Sequence, residues 1–307
     1  MGCQNIAKTG ADSSGRLGKW RKAESFPKPV SFMDVVTKGD RVYVIGGSSR
    51  GGMTHIYPEV FSAQMGKGGR LGKWREERQL PVGLIYHSAA VLRGYVYVLG
   101  GFDGQVYRDR TLFAKINGDG SLSEWKETTA RYRHPVGKTC LVPVRDGIVA
   151  ISGMWSDPQG EHVSSIVKRG TPDEDGDIKE WEDEGTLKMA ARPLRFGLAE
   201  HVSAVDANFI YVVGGRDPDS LGLATTQASW IDPKGRLTAW QWGPELPLFD
   251  VKGRPTSARV YRTAAVVLGD YFYVLGGFMY VREPSSDVWV QKLKSYEEPN
   301  WVKKLGK

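Results

Sequence analysis

The apolar residues of this chain fall into short runs separated by short polar turns, and the arrangement recurs along its length. Asp34-Val35-Val36-Thr37 is followed, across Lys38-Gly39-Asp40, by Val42-Tyr43-Val44-Ile45-Gly46-Gly47. The same order returns at 88–91 with 96–101, at 140–142 with 148–153, at 202–205 with 210–215, and at 264–267 with 272–277. Each second run ends in a glycine pair, except that Ser152 replaces the first glycine of the third copy. Runs this short, rich in Val, Ile, Tyr and Phe, predict β-strands. Turns such as Arg145-Asp146-Gly147 and Leu268-Gly269-Asp270 carry the glycine or small polar residue that a tight hairpin requires. A third strand is expected after each glycine pair, as at 111–116, turning through Asn117-Gly118-Asp119-Gly120 into a fourth. No stretch sustains a helical period.

A second signal, G-x-L-x-x-W, keeps phase with the first. It reads Gly15-Arg16-Leu17-Gly18-Lys19-Trp20, Gly69-Arg70-Leu71-Gly72-Lys73-Trp74 and Gly120-Ser121-Leu122-Ser123-Glu124-Trp125. Looser copies end at Trp181 and Trp240, and Trp301 follows with Tyr296 in the place of the glycine. A period of roughly 50 residues marks a repeat architecture, and four antiparallel strands per repeat without a helix make a propeller blade. The glycine pair closing the second strand and the tryptophan near the fourth resemble kelch repeats over nearly the whole chain. The G-x-L-x-x-W variant is similar to kelch-type propellers of bacterial secreted and surface proteins. The resemblance implies one all-β, kelch-type β-propeller domain over 1–307, with 1–14 a loosely ordered extension. Five four-stranded blades are expected, with six including one irregular blade as the alternative. Pairing of the N- and C-terminal strands would close the ring and cover both open sheet edges.

Composition narrows the class. The net charge is +7, but the basic residues are scattered and only Lys303-Lys304-Lys307 is dense, so a solvated surface is expected and a nucleic-acid partner is not. Two cysteines exclude a disulfide framework; Cys140 reads as a small buried apolar residue. Met1-Gly2-Cys3 allows a lipid anchor at Cys3 or N-myristoylation of Gly2, although Ile6 stands where serine or threonine is wanted; the other reading is an uninformative terminus. No apolar run has the length of a transmembrane segment. The expected location is extracellular or at the cell surface, with the cytoplasm as the alternative.

Strand alternation places the four-to-one and two-to-three loops on one face, and several of them are long, including 188–200, 246–262 and 154–162. Long loops on a rigid scaffold are where binding concentrates. Aligned on the glycine pair, the residues before strand one are Phe32-Met33, Tyr86-His87, Lys138-Thr139, Glu200-His201 and Arg262-Thr263. Those after the pair include Asp103, Trp155, Arg216 and Tyr280. These positions vary while the strands stay alike. The candidate ligand-binding residues are therefore Tyr86, His87, Asp103, Lys138, Trp155, Glu200, His201, Arg216, Arg262 and Tyr280. Their mixture of aromatic faces and both signs of charge suits a polar ligand such as a sugar or an anionic group.

Metal and cofactor signals are poor. The histidines show no H-x-x-x-H spacing, and Asp173-Glu174-Asp175-Gly176-Asp177, vaguely like a calcium loop, falls where the other repeats have hairpin turns. No G-x-S-x-G, P-loop, H-E-x-x-H or dinucleotide signature occurs, and no cofactor is expected. The chain reads as a non-catalytic binding module for a glycan or protein partner at the channel mouth. Kelch propellers include sialic-acid epimerases and galactose-type copper oxidases. The alternative implied by the resemblance is an epimerase, with Glu200 as acid/base and Arg216 or Arg262 holding an acidic sugar. Neither cysteine is placed for the copper chemistry.

Overall fold

The structure is a computed structural model. It describes residues 25–49, 55–66, 71–187, 198–206, 208–216 and 225–243, and the backbone of six strands between 260 and 292. The described residues are all-β, and none lies in a helix long and apolar enough to cross a membrane.

Four antiparallel four-stranded sheets follow one another along the chain. Blade 1 holds β1 (Asp34–Lys38), β2 (Arg41–Ile45), β3 (Val60–Gln64) and β4 (Arg75–Glu76). Blade 2 holds β5 (Ser88–Leu92), β6 (Tyr95–Leu99), β7 (Thr111–Lys115) and β8 (Lys126–Glu127). Blade 3 holds β9 (Cys140–Val144), β10 (Gly147–Asp157), β11 (Gly160–Pro172) and β12 (Ile178–Thr186). Blade 4 holds β13 (Val202–Val205), β14 (Phe209–Val213), β15 (Thr226–Trp230) and β16 (Gln241–Trp242). Beyond them, β18 (Ala264–Leu268), β19 (Tyr271–Leu275) and β22 (Val288–Lys292) form a three-stranded sheet. A small second one contains β17 (Val260–Tyr261), β20 (Phe278–Met279) and β21 (Glu283–Pro284).

The structure therefore shows four blades among the described residues, not five or six. The apolar hairpin does recur a fifth time, but a blade also needs its outer strand paired, and that pairing is present in four sheets. The segments around Trp20 and Trp301, expected to close the ring, lie outside the described residues, as does the 1–14 extension.

Blades 2 and 3 are covered on both faces by their neighbours, which is why their inner strands read as nearly continuous apolar runs. One core cluster joins Val36, Tyr43 and Ile45 of blade 1 to Ala89, Val96 and Val98 of blade 2. A second joins Tyr97 and Phe113 of blade 2 to Leu141, Ile148 and Trp181 of blade 3. A third joins Val142, Val149 and Val167 of blade 3 to Ile210, Val212 and Trp240 of blade 4. The repeated tryptophan thus packs at the junction with the preceding blade.

The other repeated residues are explained by close contacts within each blade and by bonds across the same junctions. The second glycine of each pair, at positive φ (Gly47, Gly101, Gly153, Gly215), has no room for a side chain. A Cβ built on Gly101 falls 2.8 Å from His87 Cβ, and one on Gly215 falls 2.8 Å from His201 Cβ. Its N–H crosses to the next blade: Gly47 donates to Leu84 O, Gly101 to Val136 O and Gly153 to Leu198 O, at 2.8–2.9 Å. The glycine that opens G-x-L-x-x-W offers its carbonyl to a tyrosine of the preceding blade: Tyr43 Oη donates to Gly120 O at 2.8 Å, and Tyr97 Oη to Gly176 O at 2.9 Å. In blade 3 the guanidinium of Arg169 takes that role toward Gly235 O.

Candidate functional site

Immediately before strand one, every blade makes the same small detour. An isolated bridge (Ser31 with Ser48, Ile85 with Phe102, Gly137 with Met154, Ala199 with Arg216) is followed by one residue in the left-handed region, and only then does the strand begin. Those residues are Phe32 (φ 58°), Tyr86 (58°), Lys138 (50°) and Glu200 (57°). None is glycine, asparagine or aspartate, the residues that tolerate this conformation most easily. Strained backbone of this kind persists where the surrounding structure imposes it, and it clusters at functional sites. Here the fold imposes it four times at matched positions.

The four strained residues and the four that follow them (Met33, His87, Thr139 and His201) line a cavity of about 370 Å³, together with Ser31 and Val35. The cavity has two unlike walls. Blades 1 and 2 supply Phe32, Met33, Val35 and Tyr86, with the Phe32 and Tyr86 rings edge-to-face at 4.8 Å. Blades 3 and 4 supply Lys138 and Glu200, whose Nζ and Oε1 lie 2.5 Å apart with the side chains only 12% and 4% exposed. Lys138 Nζ also sits 4.8 Å from the centroid of the Tyr86 ring, so one cation touches both walls.

Arg216 stands behind Glu200, with Nε 3.4 Å from Glu200 Oε1. Its two terminal nitrogens donate to Glu161, Nη1 to Oε2 at 3.0 Å and Nη2 to Oε1 at 2.8 Å. Nη2 also lies 3.1 Å from Met154 Sδ. Hydrogen bonds from Arg216 hold the Glu161 carboxyl below its ordinary range, with Lys138 acting in the same direction and Glu200 against it. Burial pushes the His87 pKa down to about 3, so the ring is neutral.

Of the sequence-predicted residues, Tyr86, His87, Lys138, Glu200 and His201 come together on the cavity wall, and Arg216 supports them from behind. Asp103 and Trp155 do not line it. The Asp103 carboxylate accepts the N–H groups of Gln105 and Val106 at 2.8 Å and pairs with Arg108, so it is used within its own loop. Trp155 is stacked between His134 and His162, at 4.2 and 5.0 Å. Arg262 and Tyr280 lie outside the described residues.

Three cavity residues, Phe32, Met33 and Thr139, occupy positions that the repeat alignment marks, yet their types gave no reason to choose them. Glu161 left no signal at all. The stretch 154–162, expected to be a loop, is instead the tip of the β10–β11 hairpin, with Met154 opposite Val163, Trp155 opposite His162 and Ser156 opposite Glu161. The acidic turn at 173–177 is a turn, as expected: Asp173 Oδ1 accepts the N–H groups of Asp175 and Asp177. Among the described residues, no group of three or more His, Cys, Asp and Glu is arranged to hold a metal ion.

No family model matches the chain. It is 26% identical over 211 residues to the Kelch repeat and BTB domain-containing protein 12 of Danio rerio, covering 64% of this chain and 31% of that protein. It is 22% identical over 239 residues to Kelch domain-containing protein 1 of Mus musculus (72% of this chain, 56% of that protein). The Homo sapiens protein of the same name is 21% identical over 278 residues (84% and 65%). The chain spans only about a third to about two thirds of the length of these curated relatives. A solved structure titled "Structure of YjhT" superposes with a TM-score of 0.63 at 14% identity, over 89% of this chain and 84% of that one, a likeness of fold. The resemblance to kelch-repeat propellers carried by the glycine pairs and tryptophans is thus matched by Kelch-domain relatives and by the propeller fold.

Proposed function

We propose that the chain is a non-catalytic kelch-type binding module whose cavity receives a sugar ring of a glycan. The observation that supports this reading is the convergence of four left-handed residues from four blades on one cavity of about 370 Å³. That volume is in the range of small-molecule sites. A pyranose has an apolar C–H face and a hydroxyl edge; the Phe32–Tyr86 wall suits the first and the Lys138–Glu200 pair the second. Titration calorimetry against a panel of mono- and oligosaccharides tests the reading. A Tyr86→Ala variant should bind its best ligand at least about tenfold more weakly than the wild type. If no saccharide binds, or Tyr86→Ala binds as tightly as the parent, the sugar reading is wrong, and a protein partner presenting a side chain to the same cavity takes its place.

One observation favours a second reading. Glu200 combines a left-handed backbone with a buried carboxylate between Lys138 and Arg216 on the cavity wall, as an acid/base residue of an epimerase would. In that case Glu200→Gln abolishes turnover of a candidate sugar while leaving its affinity nearly intact; a binding module shows no turnover to abolish.

A further inference from the structure

The β10–β11 hairpin is longer than its counterparts in the other three blades, where the described second and third strands are five residues each. Here they run to 11 and 13. The extra length carries Glu161 past the glycine position and over to blade 4, where its carboxylate meets both terminal nitrogens of Arg216. That is the geometry in which arginine grips a carboxylate ligand. The Arg216 side chain is 10% exposed and that of Glu161 is 41% exposed, so the cation is inside and the anion that occupies it comes from outside. The chain of charges Lys138–Glu200–Arg216–Glu161 has two of each sign and leaves no net charge among these four residues.

Resting on the sugar-binding reading above, we propose that Glu161 determines specificity. It holds the Arg216 fork with the protein's own carboxylate, so the cavity accepts a neutral sugar and rejects its acidic counterpart. A ligand carboxylate at this site would add a third anion to two cations, or would have to displace Glu161 from a two-point contact. A neutral pyranose meets neither obstacle. It needs only the aromatic wall and the donors and acceptors of a pair that is already neutralised. The state of Glu161 supports this, since Arg216 favours its ionised form.

The test is calorimetry with matched pairs that differ only at C6: methyl glucoside against methyl glucuronide, and methyl galactoside against methyl galacturonide. Wild-type protein should prefer the neutral member of the pair it binds best by at least about tenfold. Its affinity for that member should barely change with added salt, because no ligand charge is screened. Glu161→Gln, which removes the carboxylate charge opposite Arg216 and leaves the fork at most one amide oxygen, should shrink that ratio about tenfold or reverse it. The wild-type comparison of neutral and acidic members needs no variant and so covers the case in which Glu161→Gln fails to fold. A wild type that binds the acid as well as the neutral sugar overturns this inference and leaves the sugar reading standing. So does an unchanged ratio in Glu161→Gln. Absence of binding to all four methyl glycosides and to the wider saccharide panel overturns both.

Discussion

Gly101 and Gly94 both stand in blade 2 with positive φ, 93° and 81°, but their surroundings differ. A Cβ on Gly94, in the turn between β5 and β6, meets nothing within 4 Å. A Cβ on Gly101 falls 2.8 Å from His87 Cβ, 2.9 Å from Ile85 O and 3.1 Å from His87 Cα. None of these is the far end of a flexible side chain. Replacing either glycine by alanine puts an L-residue in a disfavoured conformation, at about 1–2 kcal/mol. At Gly101 the new methyl is also short of the ordinary contact distance of about 3.5–4.0 Å on several sides. Relief requires moving the start of β5 or stretching the 2.8 Å bond from Gly101 N to Val136 O that ties blade 2 to blade 3. Forced overpacking of this kind costs a further ~1–3 kcal/mol. Gly101→Ala should therefore lose about 2–5 kcal/mol and Gly94→Ala about 1–2 kcal/mol, read from urea unfolding curves of equal slope. Equal losses in the two variants would refute the account of Gly101 as a position where the start of its own blade leaves no room for a Cβ.

Trp240 is 2% exposed within the blade 3–blade 4 cluster, whereas Trp125 is only partly buried and donates Nε1 to Arg78 O at 2.8 Å. Trp240→Ala should cost ~3–5 kcal/mol and Trp125→Ala less; calorimetric unfolding showing the reverse order would contradict the burial argument. Asp34 is fully buried, its carboxylate accepting Val35 N and Ala89 N at 2.7 and 2.6 Å. Burial lifts its pKa above 3.8, and those hydrogen bonds only partly offset the rise. A raised folded pKa makes the associated stability complete below the unfolded value and lost as pH climbs through the folded one. Stability of the wild type minus that of Asp34→Asn should fall as pH rises from about 4, and a difference that grows with pH in paired denaturation series would show the sign to be wrong.

The blade was legible in the chain because its causes are local. Two short apolar runs around a polar turn are a hairpin wherever they occur, and β1–β2, β5–β6, β9–β10, β13–β14 and β18–β19 lie where that pattern puts them. The repeat alignment also named the ring of positions before strand one, since a fold that repeats must place matched residues at matched heights. Five of the ten chosen site residues reached the cavity for that reason. Blade count was less accessible: a hairpin announces itself, but a blade exists only when its two-residue outer strand, such as Lys126–Glu127, finds a partner.

What tertiary structure decided was the direction and partnership of polar side chains. Asp103 and Trp155 sit at positions as promising as that of Arg216, yet the first turns back onto Gln105, Val106 and Arg108 and the second is enclosed by two histidines. Glu161 lies in a stretch that reads as a loop and has no counterpart in the other repeats. Its carboxylate reaches Arg216, 55 residues away, only because the β10–β11 ladder continues beyond the glycine pair. Periodicity is a property of each segment and survives in one dimension. An ion pair depends on the distance between two segments, and that distance is set only when the blades stand side by side.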